Sequence, residues 1–91
     1  MSIPTQQKAL RLTAFQSDFS VDVVPVAQPK DDEVLIRIEA STLSHMERFM
    51  QQAGYYIKEY PSTVGLDGAG TVVALGKDVK DRKLGDRVYV F

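Results

Sequence analysis

The sequence predicts a mostly β domain: five strands and one short helix in a small, mainly antiparallel barrel or sandwich. Three observations lead there. Short runs alternate apolar and polar residues, the signature of half-buried strands. Only one stretch changes to a 3.6-residue period, so strands and helices do not alternate as in a nucleotide-binding α/β fold. And residues 64–75, VGLDGAGTVVAL, run a glycine-rich turn into β-branched and small apolar residues, the central buried strand around which the rest packs.

Residues 1–7 are polar, carry Pro4 and show no period, so they are expected to form a flexible arm, with the domain spanning residues 8–91. In residues 9–15, ALRLTAF, Leu10, Leu12 and Ala14 alternate with Arg11 and Thr13, giving a strand buried on one face. Residues 16–18 turn the chain. Phe19, Val21 and Val23 then alternate with Ser20 and Asp22 in a second strand, paired with the first as a hairpin over a three-residue loop. Pro25 and Pro29 end it, and AQPKDDE crosses the surface to VLIRIE, residues 34–39. Arg37 and Glu39 share the face of Leu35, while Val34, Ile36, Ile38 and Ala40 line the opposite, core face.

At Ser44 the period becomes helical. Ser44 followed by Glu47 fits a capping box, the hydroxyl bonding a first-turn N–H and the carboxylate reaching back to the cap. Met46, Phe49 and Met50 form the core face of about two helical turns. Gly54 stops the helix, and Tyr55, Tyr56, Tyr60 and Pro61 form an irregular aromatic loop leading to the glycine-rich strand. After Leu75 a polar connection and the turn Leu84-Gly85-Asp86 lead into RVYVF, residues 87–91, with Val88 and Val90 on one face and Tyr89 and Phe91 on the other.

Composition narrows function. Eleven basic and twelve acidic residues leave a net charge of −1, with no massed basic stretch to suit nucleic acid. There is no Cys and one His, so the usual zinc ligand sets are out of reach. No apolar run approaches the roughly 20 residues of a membrane span, and the N-terminus lacks the apolar core of a signal peptide, so a soluble, cytoplasmic protein is expected. Asp67, the one charge in residues 64–75, either fixes a turn or belongs to a site; turn chemistry is the commoner use of Asp beside Gly.

The ordered series LTAF, EVLIRIEAS, the helix, GLDGAGTV and V-x-x-x-x-LGDRV resembles the start of the medium-chain dehydrogenase/reductase superfamily, in its zinc-free quinone-reductase-like and enoyl-reductase-like branch. The resemblance covers roughly residues 8–91. It implies a GroES-like, partly open barrel, the N-terminal domain that forms one wall of the active-site cleft in that family, while a following Rossmann domain binds NAD(P)H. Here the glycines at 65, 68 and 70 have the wrong spacing for a dinucleotide fingerprint and open into a strand, so no cofactor is expected on this chain itself. The resemblance further implies a truncated chain whose GroES-like domain is incomplete.

Zinc-dependent relatives place Cys at the position of Ser44 and His-Glu at Leu66-Asp67, so zinc is not expected. Zinc-free relatives often read Asn-Pro-x-Asp where this chain has Ser44-His45-Met46-Glu47, near the nicotinamide ring. The implied activity is NAD(P)H-dependent reduction of a quinone, enone or enoyl substrate, with the chain alone inactive. His45 is then the candidate proton donor, with Ser44 and Glu47 as catalytic candidates beside their capping role. Tyr55, Tyr56, Tyr60 and Asp67 are the candidate substrate-pocket residues. The other reading is a co-chaperonin-like or non-catalytic GroES-fold binding module; against the co-chaperonin stands the absence of a mobile Gly- and Ser-rich loop between the first strands, and NAD(P)H binding by a longer form would separate an oxidoreductase from the binding module. An unclosed sheet edge at Val88, Tyr89, Val90 and Phe91 is expected to make the chain self-associate, as a homodimer or larger.

Overall fold

A computed structural model describes residues 3–42 and 44–90. Met1 and Ser2 of the expected arm, and Phe91 of the last strand, lie outside them. The order is β1 (Gln6–Leu12), β2 (Phe19–Pro25), β3 (Val34–Ala40), α1 (His45–Ala53), β4 (Ser62–Thr63), β5 (Gly68–Leu75) and β6 (Arg87–Val90). These make two antiparallel three-stranded sheets, β2-β1-β4 and β3-β5-β6. The fold is therefore the expected mostly β, partly open arrangement with one short helix. Residues 4–26 and 44–66 form one compact unit; Ile3, 27–42 and 67–90 form another.

In the first unit, β1 begins at Gln6, opposite Pro25, two residues before the expected start of structure. It also ends earlier than expected, at Leu12, because the Ser17 hydroxyl accepts the N–H groups of Thr13 (3.2 Å) and Ala14 (3.3 Å) and folds residues 13–18 into a six-residue turn. The expected three-residue loop is thus twice as long. Leu12 is fully buried, but Leu10 is 37% exposed and Ala14 lies in the turn. On β2 the apolar residues expected to be covered face outward, Val21 at 68% and Val23 at 63% exposure, while Val24 lies on the half-buried face. That face also carries the polar Ser20 and Asp22: Arg11 pairs with Asp22 at 3.8 Å, and Ser20 donates to Asp22 at 3.2 Å. β4 was not expected; it pairs Ser62 and Thr63 with Leu12 and Arg11.

Met50 is the buried residue of α1 and Met46 is half-buried, as their spacing predicts. Phe49 is not core. It is 47% exposed and lies against Tyr55, ring centroids 6.0 Å apart, as a surface aromatic pair. Gly54 ends the helix in the left-handed conformation at φ 73°, its N–H donating to the Met50 carbonyl.

In the second unit β5 is central and starts at Gly68, earlier than the apolar run alone suggests. Val72 is its fully buried side chain. The expected core face of β3 holds only at its start: Val34, Leu35 and Ile36 are half-buried, but Ile38 is 53% exposed and Ala40 is exposed. The β3–β5 register skips Val73 of β5 between Leu35 and Ile36 and skips Glu39 of β3 between Ile38 and Ala40, and this second bulge breaks the two-residue alternation before Ala40.

Candidate functional site

The Ser44 cap is built as its sequence dictates. Ser44 is extended at φ −132°, its hydroxyl accepts the Met46 N–H at 3.3 Å, and the Glu47 carboxylate receives the Ser44 N–H at 3.0 Å and the Ser44 hydroxyl at 2.7 Å. Both side chains are therefore committed to the helix start. Ser44→Ala is expected to cost about 1 kcal/mol of unfolding free energy, read from urea melts; no change would mean the box contributes nothing.

His45 opens α1 and is exposed, and among the described residues no hydrogen bond or ion pair engages its imidazole. The ring is thus accessible to a reacting molecule. Beyond the helix the three tyrosines separate. Tyr55 is 54% exposed on Phe49, and Tyr56, with φ 63°, is 74% exposed. Tyr60 is half-buried: a Cβ built on Gly54 would lie 3.6 Å from its hydroxyl and 3.7 Å from the Phe15 ring. Tyr55 and Tyr56 are surface groups, whereas Tyr60 packs.

Asp67, of the other unit, does not fix a local turn. Its carboxylate accepts the Thr42 N–H at 3.2 Å and the Thr42 hydroxyl at 2.6 Å, tying the end of β3 to the start of β5 across 25 residues of sequence. Ala40, Ser41, Thr42, Asp67, Gly68, Ala69 and Tyr89 line a cleft of about 120 Å³ there. That volume suits part of a ligand, since pockets for whole small molecules start near 300 Å³. Ser41, Thr42 and Tyr89 were not among the residues singled out from the sequence. The one available signal was Asp67 itself, a carboxylate with no polar neighbour in sequence to satisfy it.

On the outer face of the same sheet Glu39 accepts from Thr71 Oγ1 (2.8 Å) and pairs with Arg37 (3.4 Å) and Arg87 (3.2 Å). The Thr71 hydrogen bond first, then Arg37 and Arg87, holds the Glu39 carboxyl below its ordinary range, and Thr42 does the same for Asp67. A carboxyl whose folded pKa is depressed contributes stability above its unfolded pKa and loses it as pH falls through the folded value. Stability should therefore hold from pH 7 to about 5 and decline below about 4. Thr42→Val should lower the urea midpoint at pH 7 and draw closer to wild type as pH falls through the folded-state titration of Asp67. A difference that persists undiminished into acid would assign the loss to packing instead of Asp67.

Of the seven residues singled out, the structure joins Ser44 to Glu47, places His45 and the tyrosines in the same unit, and puts Asp67 in the other.

Residues 30–91 match the family described as alcohol dehydrogenase GroES-like domain. Alcohol dehydrogenase 2 of Caenorhabditis elegans is 36% identical over 90 residues, covering 98% of this chain and 26% of its own. Quinone oxidoreductase of Sus scrofa is 36% identical over 75 residues, covering 81% of this chain and 21% of its own. The Escherichia coli quinone oxidoreductase solved in complex with NADPH superposes with a TM-score of 0.78 over 92% of this chain and 26% of that one; at 23% identity this is a likeness of fold. The chain spans about a quarter of the length of the curated relatives it matches.

Proposed function

Because the chain belongs to the alcohol dehydrogenase GroES-like domain family of the medium-chain dehydrogenases/reductases, we propose that it is the N-terminal catalytic-domain portion of an NAD(P)H-dependent, zinc-independent cytoplasmic oxidoreductase. Its substrate is a quinone, an enone or an enoyl compound, and the 91 residues alone are inactive.

The observation that carries this reading is the lead-in to β5. At the positions where zinc-dependent relatives place His and Glu stand Leu66, which has no lone pair to donate, and Asp67, which is held by Thr42. Ser44, at the position of their Cys, is a neutral hydroxyl already donating to Glu47. These donors do not fit zinc. Neither do the glycines fit a dinucleotide: Gly68 and Gly70 sit inside β5, paired with Val90 and Val88, and among the described residues no helix N-terminus follows them to receive a pyrophosphate. The nucleotide is therefore bound by residues other than these. Within this reading His45 gives a proton to the reduced acceptor, and Tyr55, Tyr56, Tyr60 and Asp67 border the acceptor. The chain also self-associates through an open sheet edge.

The test is oxidation of NADPH and NADH with a benzoquinone, an enone and an enoyl thioester as acceptors, by the 91-residue chain and by a longer form of the gene. Hydride transfer needs donor and acceptor held about 3 to 3.5 Å apart, so the short chain is expected to turn over nothing and the longer form at least one acceptor. Turnover by the short chain, or by neither, overturns the proposal.

A further inference from the structure

Among the described residues four strands end a sheet: β2 and β4 in one, β3 and β6 in the other. An open edge presents unpaired N–H and C=O groups to any passing chain, and proteins blunt such edges by shortening, bulging or charging them. β4 is two residues long, and β6 is four with Arg87 at its start. β3 is interrupted twice in register and carries Arg37 and Glu39 on its exposed face. β2 differs from all three. It runs seven residues in unbroken register with β1, its one charge, Asp22, is turned to the half-buried face and held by Arg11 and Ser20, and its one proline, Pro25, comes last.

Register also tells which backbone groups of β2 point outward. The Val26 N–H donates to the Thr5 carbonyl at 2.9 Å, so these two residues are a hydrogen-bonded pair. Alternation then makes Val24 with Gln7, Asp22 with Ala9 and Ser20 with Arg11 the other bonded pairs. Phe19, Val21 and Val23 must aim their N–H and C=O groups away from β1. The Leu10 carbonyl agrees: Leu10 lies opposite Val21, yet its carbonyl accepts the Val64 N–H, on the β4 side of β1. Among the described residues nothing bonds the outward groups of Phe19, Val21 and Val23, whose side chains are 38%, 68% and 63% exposed.

We propose that β2 docks a second copy of this chain, pairing antiparallel with its own equivalent about a two-fold axis at Val21. This rests on the self-association stated above and assigns its edge to β2 instead of β6. The register of self-pairing selects the occupant, because it brings no like charges together. With Val21 on the axis, Val21 faces Val21, Phe19 faces Val23, and each Asp22 carboxylate faces a Ser20 hydroxyl and not another carboxylate, so no like charges meet. The contact is isologous and closes at two copies, joining two three-stranded sheets into one of six strands.

Sedimentation velocity on the full 91-residue chain at tens of micromolar tests this, with wild type, Val21→Pro and Val21→Lys compared. Proline at 21 removes an N–H that points away from β1, leaving the β1–β2 ladder intact, and far-UV circular dichroism checks that it does. Val21→Lys alters an exposed side chain only and decides the matter if the proline variant fails to fold. Wild type is expected to be a dimer, with at least tenfold weaker association in each folded variant. Variants as dimeric as wild type overturn the β2 assignment and leave self-association standing. A monomeric wild type overturns both.

Discussion

Gly70→Ala should be among the most damaging single-methyl changes in the domain, with Gly76→Ala, costing about 3 kcal/mol or more or preventing folding altogether. Gly70 lies in the central strand β5, opposite Ile38 on one side and Val88 on the other. A Cβ built there would overlap the Arg37 carbonyl and come within 3.0 Å of the Ile38 Cα. Both are backbone, so no rotamer change relieves the overlap; β3 would have to move off β5. A domain of this length has about 5 to 14 kcal/mol of stability in total. Gly65→Ala is the matched control, since its Cβ meets nothing within 4 Å and only its φ of 113° is strained. Urea unfolding of the three proteins is the measurement. Equal losses at 65 and 70 would show that the close approach of β3 to β5 is not what selects glycine at 70.

In a longer, active form of the protein, His45→Ala should lower kcat by a factor of about 100 or more, the usual scale for removing a positioned general acid. His45 is exposed at the first position of α1, with its imidazole unengaged among the described residues, so the change should leave the fold and the unfolding midpoint nearly untouched. Steady-state kinetics with the acceptor varied separates the outcomes. A kcat loss at unchanged melting behaviour is the mark of a lost proton donor. Unchanged kcat makes His45 a bystander. Ser44→Ala supplies the contrast, because its side chain belongs to the helix cap and its loss should appear in stability first.

The parts of this molecule that were legible in its sequence are those whose partners lie close along the chain. Ser44 and Glu47 are three residues apart, so the capping box could be read directly and is present with all its bonds. Gly54 as helix stop, the antiparallel pairing of the first two strands and the strand character of residues 71–75 are equally local. The family resemblance was also legible, because its glycine-rich and LGDRV segments are contiguous.

What only the tertiary structure decided depends on segments distant in sequence. Alternation in FSVDV says that β2 has two faces, but which face is covered depends on what packs behind it, and here the covered face is the one carrying Ser20 and Asp22. The β3 pattern likewise predicts one core face, but Ile38 and Ala40 are exposed in the folded sheet, and the bulge at Glu39 that breaks the alternation before Ala40 is invisible in the strand alone. Asp67 has the composition of a turn residue. Its partner Thr42 is 25 residues away, and a carboxylate that can bond either its own turn or a neighbouring strand end chooses according to which donors the folded sheet brings within 3 Å or so.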